Sequence, residues 1–542
     1  MPDANAPQGA KQAHPLADPA EAAKLLGALP AGDPLAALKE LDAWLDQAKE
    51  LPEENEKARC DILAAMQDAA EPHVAALVGQ ITGHTAASQA ARETRWTGLN
   101  EFLRGLTGAL YASAARLIKG SAGNAALQPA AAAAAVRTLH ACRLLAKSYL
   151  LHYMSVPPKV WRLAYALHAS AEDAGCAGIP AAAMHGARKT SSTANAELLR
   201  LLMLQAASPD MLPLEQIEAA DRVIEHLGDQ LTLRPQGASD SHFLFHPGSD
   251  HPPQRAPSEP PPADAGYRYF GPGAAYGALE TLAREFAQPK AAQAAAFGRD
   301  IPFHAQAAAI RHLYTFWGPA NPYSPPARTP ASGTLKVVHG FGAAWQQVSG
   351  AGTAKMELSL VEEGDKAPAA KDPGAEDWAL KDTGGNELGV EVPQAAAEWA
   401  RCGTLIALTR TGEKGCSLGV IRSLHFDPEH SLLAHIAVLS SAPRAVKLQP
   451  INDNKDAVYS AAAMRQFATF GGAVRAIILS DGSGAGAQKP NLMLPADQWH
   501  ERREYEVGIG NTNRVLRSGQ LLRRGDDFVR ATFEWVEEQK QK

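Results

Sequence analysis

The sequence predicts an α+β multidomain protein: an N-terminal all-α domain, a small antiparallel β-barrel, and a second small β domain. Three observations carry this. Up to about residue 235 apolar residues recur at helical spacing, and strand signals are nearly absent. Between 375 and 448 the period switches. Short apolar runs (Leu405, Ile406, Leu408; Leu418, Val420, Ile421) are then separated by turn residues at nearly even intervals, as in a small sheet or barrel. Strand-like runs return after the polar stretch Asn452 to Asp456. At 542 residues the chain exceeds one core, and its length implies about three domains.

In chain order, residues 1–29 read as a flexible lead-in with one short helix at Ala20 to Leu29. Residues 30–235 form the all-α domain. Asp33 is its first N-cap with Pro34 at the first helical position, and Leu35, Leu38, Leu41 and Leu45 follow at helical spacing. Further helices run through Ile62, Met66 and Val74, and over Trp96 to Ile118, Ala130 to Tyr153, Pro158 to Ala171, Ala194 to Ala207 and Leu214 to Leu227. Their rings and histidines (Trp96, His152, Tyr153, Trp161, Tyr165, His168) sit at helical spacing and read as core rather than as a partner groove.

Residues 236–265 are dense in Pro, Ser and Asp and read as a disordered linker or long loop. His242, His246, Asp250 and His251 lie in it, but a flexible loop does not pre-place metal ligands. Residues 266–320 read as a helical connector, packed either on the helical domain or against the barrel. Residues 321–333 form an extended, Pro-stiffened linker. The barrel spans 334–450, opening with strands at Leu335 to His339 and Met356 to Val361. The second β domain spans 451–542, with strands at Val474 to Leu479, Leu492 to Leu494, Tyr505 to Ile509, Val515 to Arg517, Leu521 to Arg523 and Phe528 to Trp535.

Composition narrows the function classes. Net charge is -6, so no global field draws the molecule to nucleic acid or acidic lipid, and an anion would need a local patch. The N-terminus lacks the basic start and apolar core of a secretory signal, and no run of about 18 apolar residues occurs. The five cysteines (Cys60, Cys142, Cys176, Cys402, Cys416) are scattered and odd in number, which predicts reduced thiols in a cytoplasmic protein. The sequence holds no H-E-x-x-H, no nucleophile elbow and no paired cysteines, and the expectation is a non-enzymatic protein without metal or cofactor. The loop Asp481 to Lys489 is glycine-rich but followed by Pro490, so it reads as a hairpin loop rather than a phosphate loop.

The barrel stretch resembles PilZ-type barrels of bacterial cyclic-di-GMP receptors. In that family an R-x-x-x-R linker leads into the barrel, a D/N-x-S-x-x-G turn lies on its surface, and a later strand reads like L-G-V-V-R. Here the strand is Leu418-Gly419-Val420-Ile421-Arg422. Arg328 matches one linker arginine, but Ser332 stands at the other position and cannot supply a guanidinium fork. In the turn, Asp382 matches the acidic position, Thr383 follows it, Gly384 replaces Ser and Glu387 replaces Gly. Gly389 becomes the closing glycine if the register slips by two.

The resemblance implies cyclic-di-GMP as ligand, no membrane insertion, no nucleic acid, and a protein partner in the pilus, motility or attachment machinery. The chemistry suits such a ligand, a dianion with two guanines. Guanidiniums bind phosphate and the guanine edge bidentately and stack on bases, and a carboxylate accepts from guanine N–H groups. The candidate ligand residues are Arg328, Asp382, Thr383 and Gly384, with Arg410 and Arg422 on barrel strands as replacement charge. Asp382 to Gly385 equally suits a bare hairpin turn, and the alternative function is a protein-interaction scaffold whose barrel no longer binds nucleotide. The arginines of the last strands (Arg502, Arg503, Arg514, Arg517, Arg523, Arg524, Arg530) alternate with acids and read as a solvated face.

Overall fold

The computed structural model describes residues 14–49, 56–83, 88–185, 188–262, 265–287, 297–320, 322–351, 374–412, 415–427, 429–451, 473–479, 489–509 and 512–536. They divide into two compact units, Met1–Ser324 and Pro325–Lys542. The architecture is α+β and multidomain, as the hydrophobic periods predict.

In the first unit the helices are α1 (Pro19–Gly27), α2 (Pro34–Lys49), α3 (Glu56–Thr82), α4 (Gln89–Ser121), α5 (Gln128–Leu150) and α6 (Pro158–Asp173). A hairpin follows, β1 (Ala181–His185) and β2 (Arg188–Ser192), then α7 (Ala194–Ala206) and α8 (Leu214–Leu227). Side chains start the helices where the sequence places caps: Asp18 accepts from the Ala20 and Glu21 amides, Asp33 from Ala36, Ser88 from Ala91 and Thr193 from Ala196. Helix α5 is the axis of the unit. Its alanines from Ala131 to Ala135 are small enough for neighbours to close in, and from Val136 to Leu150 nearly every side chain is buried.

Three charged residues of α5 are buried with it. His140 Nε2 lies 2.6 Å from Glu71 Oε1 and its Nδ1 lies 3.4 Å from Glu197 Oε2. Arg143 pairs with Asp221 at 2.8 Å, and Lys147 with Glu218 at 2.9 Å and Asp221 at 2.7 Å. Burial opposes the charge on His140, but Glu71 and Glu197 overcome it and hold the imidazolium up to about 9.

Two expectations are corrected here. The lead-in is not loose from residue 14 onward: Leu16, Ala22 and Leu29 belong to the helical core. The domain is also not purely helical, since β1 and β2 interrupt it; their sequences, AAAMH and RKTSS, carry no apolar–polar alternation to read.

The 236–265 stretch corrects a third. It contributes to a four-stranded sheet of β3 (Thr232–Arg234), β4 (Phe243–Phe245), β5 (Gln254–Arg255) and β6 (Arg268–Gly271), in the order β3-β6-β4-β5. Three consecutive apolar residues anchor it. Phe245 stacks on Tyr165 with ring centroids 4.6 Å apart, Phe243 stacks on Phe270 at 5.4 Å, and Leu244 is buried. Arg255 donates to the carbonyls of Phe316 (2.7 Å) and Gly318 (2.9 Å), at the end of α10 (Phe303–Trp317). That helix and α9 (Ala275–Glu285) pack on the helical domain, where Trp317 Nε1 donates to Met203 O at 3.1 Å. The Pro-rich composition hid a sheet because its few apolar residues gain partners only from outside the segment.

The second unit holds two closed six-stranded antiparallel barrels. A short strand β7 (Thr329–Pro330) precedes the first, which is built from β8 (Thr334–His339), β9 (Glu376–Gly384), β10 (Glu387–Glu391), β11 (Leu405–Arg410), β12 (Ser417–Phe426) and β13 (Leu432–Ser440). It runs β8-β9-β10-β13-β12-β11 and returns to β8. Helix α11 (Phe341–Ala351) follows β8 where no helix was expected. The second barrel closes as β14-β15-β16-β19-β18-β17: β14 (Arg444–Pro450), β15 (Val474–Leu479), β16 (Asn491–Pro495), β17 (Glu504–Ile509), β18 (Thr512–Arg524) and β19 (Phe528–Val536).

Strand β14 thus belongs to the second barrel, moving the expected boundary at 450 back to 441–443, and β18 is one long strand rather than two. The strand expected at Met356 to Val361 and the loop 481–488 lie outside the described residues. One core cluster spans both barrels, beside a second that belongs to the second barrel alone. Val338, Phe341, Ala344, Leu405 and Leu418 pack with Ile477, Leu479, Met493 and Phe528. Asp527, in the turn before β19, accepts from the Phe341 amide and so caps α11 from across the junction.

Lys147→Met would leave Glu218 and Asp221 buried with only Arg222 and Arg143 as their respective cations, and a loss of about 3 kcal/mol in denaturant unfolding of the full chain is expected. His140 is raised above its unfolded value, so its contribution is complete below about pH 6.5 and is lost as pH rises through about 9. His140→Gln should flatten that alkaline decline in melts recorded across the window.

Candidate functional site

The candidate site starts from the strand lengths. Within the barrel β8 pairs only with residues 376–379 of β9, which leaves the far half of that β9 edge open. The connector fills it: Thr329 pairs with Thr383 and Pro330 with Asp382, and Ala331 N donates to Lys381 O at 2.9 Å. This in-register addition of the tether brings Arg328 over the β9–β10 hairpin.

Arg328 Nη1 donates to Asp382 Oδ1 at 2.6 Å, and Nη2 donates to Glu387 Oε2 at 2.9 Å. Arg422, on β12, reaches the other oxygen of Glu387 at 3.2 Å. Glu387 is 2% exposed, so one carboxylate lies buried between two guanidiniums. The sequence departs from the PilZ pattern at this position, and the side chain that breaks the pattern is the one that grips the tether.

Both glycines of the hairpin answer to close approaches. A Cβ at Gly384 would stand 2.8 Å from Ala327 O, so the tether backbone excludes the serine of the related motif. A Cβ at Gly389 would stand 2.5 Å from both Asp382 carboxylate oxygens. Gly389 pairs with Asp382 on one side and His435 on the other, and His435 pairs with Ser423. Asp382, Gly389, His435 and Ser423 therefore form one row across four strands.

The histidines of this face were missed in the sequence. His435 Nδ1 is 3.1 Å from Ser423 Oγ, and its ring lies 5.2 Å from that of His425. Burial and then the positive Arg328 push His435 down to about 4, and burial lowers His425 as well. Both rings are thus neutral at pH 7, able to accept a hydrogen bond or offer a flat face. Only the strand register brings them to Asp382, so nothing in their sequence positions could mark them.

Of the six residues singled out in the sequence, Arg328, Asp382 and Arg422 converge through Glu387. Thr383 contributes to the backbone ladder with Thr329, and Gly384 provides room for the tether. Arg410 does not join them. It lies exposed at the end of β11, beyond β8 from this face, and among the described residues it makes no ion pair. Among those residues no group of three His, Cys, Asp or Glu could hold a metal, and no helix is long and apolar enough to cross a membrane.

Comparison with known families bears on the other unit. Residues 20–236 match the family model described as the N-terminal domain of the cyclic-di-GMP receptor FimW. The helical domain is therefore similar to the N-terminal domain of a cyclic-di-GMP receptor family. The match runs from α1 to just past β3, so it is independent of the barrel residues on which the resemblance was first drawn. No curated protein and no solved structure matches the chain.

Two outcomes follow from the site. Gly384→Ser should lift the tether from β9, read as faster hydrogen exchange at the Ala331 amide; unchanged protection there would contradict the steric argument. His435 is depressed, so its neutral form stabilises the barrel above about pH 6.5, and that stability is lost as pH falls towards about 4. His435→Gln should reduce the acid loss in thermal melts.

Proposed function

We propose that the chain is a non-enzymatic receptor for cyclic-di-GMP whose ligand site is the tether-covered face of the first barrel. The observation that carries this is the grip of Asp382 and Glu387 on Arg328, a guanidinium on the connector between the two units. Without ligand, these carboxylates occupy the guanidinium much as phosphate oxygens would.

A dinucleotide phosphate would take over Arg328 or Arg422, freeing Asp382 to accept from a guanine edge. The neutral His425 and His435 rings would line the base. Binding would then exchange one set of bonds to Arg328 for another and change how tightly the connector is held. The PilZ resemblance adds the output, a protein partner in pilus, motility or attachment control, and a cytoplasmic location fits five cysteines that form no disulfide.

One observation favours the scaffold reading. Glu387 is buried and already pairs with both arginines, so a phosphate must compete with it. Calorimetric titration of the full chain with cyclic-di-GMP separates the two. The receptor reading expects micromolar binding that Arg328→Ala weakens by about tenfold or more. Absence of heat for the wild type would leave the scaffold, and undiminished binding by the variant would remove Arg328 from the site.

A further inference from the structure

The connector lacks the second arginine of the R-x-x-x-R pattern, since Ser332 stands in its place. The two barrels share a core, so residues of the second are held at fixed positions beside the first. Strand β18 carries register shifts between Ser518 and Leu521 and again between Leu521 and Arg523. Such bulges re-aim side chains and are common next to binding sites.

Arg523, just after the second bulge, reaches the first barrel. Its Nη2 lies 3.7 Å from where a Cβ of Gly403 would stand. Gly403 N donates to Ile421 O at 2.7 Å, and Ile421 directly precedes Arg422. Arg523 therefore sits beside the middle of β12, near Arg422, and the positive charge of Arg422 acts on it. Its cross-strand partner is Arg530, a second like charge.

Two arginines directly opposite each other are unfavourable unless something negative lies between them. Among the described residues, no carboxylate pairs with Arg523 or with Arg530, and Arg530 Nε is buried without a hydrogen-bond partner. Arg523 is exposed and Arg530 is half-buried.

We infer that Arg523 and Arg530 of the second barrel form a phosphate-binding subsite that continues the row from Arg328 and Arg422. In it they take the anionic group for which the connector has no second arginine. The ligand class is a phosphodiester or diphosphate dianion. As an extension of the cyclic-di-GMP site, this rests on the receptor reading above; as an anion site it stands on its own geometry.

The test is calorimetric titration of the full chain with cyclic-di-GMP, comparing Arg523→Ala, Arg530→Ala, Arg328→Ala and the adjacent Arg524→Ala. Arg524 donates to Ala496 O and lies outside the proposed subsite. The subsite expects Arg523→Ala to weaken binding by about tenfold or more and Arg524→Ala to leave it within about twofold. It also expects Arg523→Ala to melt no lower than the wild type, because one of two facing charges is gone. Weakened binding in Arg328→Ala with none in Arg523→Ala overturns the subsite and leaves the receptor. If the wild type gives no heat, the receptor reading fails. Thermal shift with inorganic pyrophosphate then decides the subsite: a shift lost in Arg523→Ala supports it, and no shift overturns it.

Discussion

Arg328 reaches two carboxylates on adjacent strands because one strand of a closed barrel is longer than its neighbour. β8 covers only the first residues of β9, and the open edge beyond it is a row of unpaired backbone groups. The connector satisfies them, and with its backbone in register its arginine has little choice of direction. Asp382 and Glu387 then convert a backbone pairing into a charge-assisted grip. The glycines at 384 and 389 follow from that grip, one making room for the connector and the other for the Asp382 carboxylate.

The second barrel gains meaning from the same arrangement. Phe528, Met493 and Ile477 share a core with the first barrel, and Asp527 caps a helix that belongs to it. The second barrel has a core of its own, and the cluster it shares with the first joins the two. The helical unit solves a different problem. Its central helix is surrounded on all sides, so the charges it carries cannot reach water and are neutralised pairwise by helices packed around it.

Much of this was legible in the chain. Helical spacing located α2 to α8 closely, because an amphipathic or Ala-rich helix repeats over several turns and needs no knowledge of its partners. Strands of the second unit were also readable where apolar residues cluster between turn signals, as at Leu405 to Leu408. The failures share a cause. The sheet around Phe243 to Phe245 hides in Pro-rich sequence because its stability comes from Tyr165 and Phe270, distant along the chain. The boundary between barrels was misplaced because only three residues separate β13 from β14, and which barrel β14 joins depends on the strands it pairs with.

The site divides in the same way. The PilZ-like motif positions singled out Arg328, Asp382 and Arg422, together with the chemistry of guanidiniums for phosphate and a carboxylate for guanine N–H groups. Tertiary structure decided that Glu387 joins them, that Arg410 does not, and that His425 and His435 lie alongside. The reason is register: a strand shows in sequence which residues share a face, but which faces meet across a barrel depends on pairings between residues far apart in the chain.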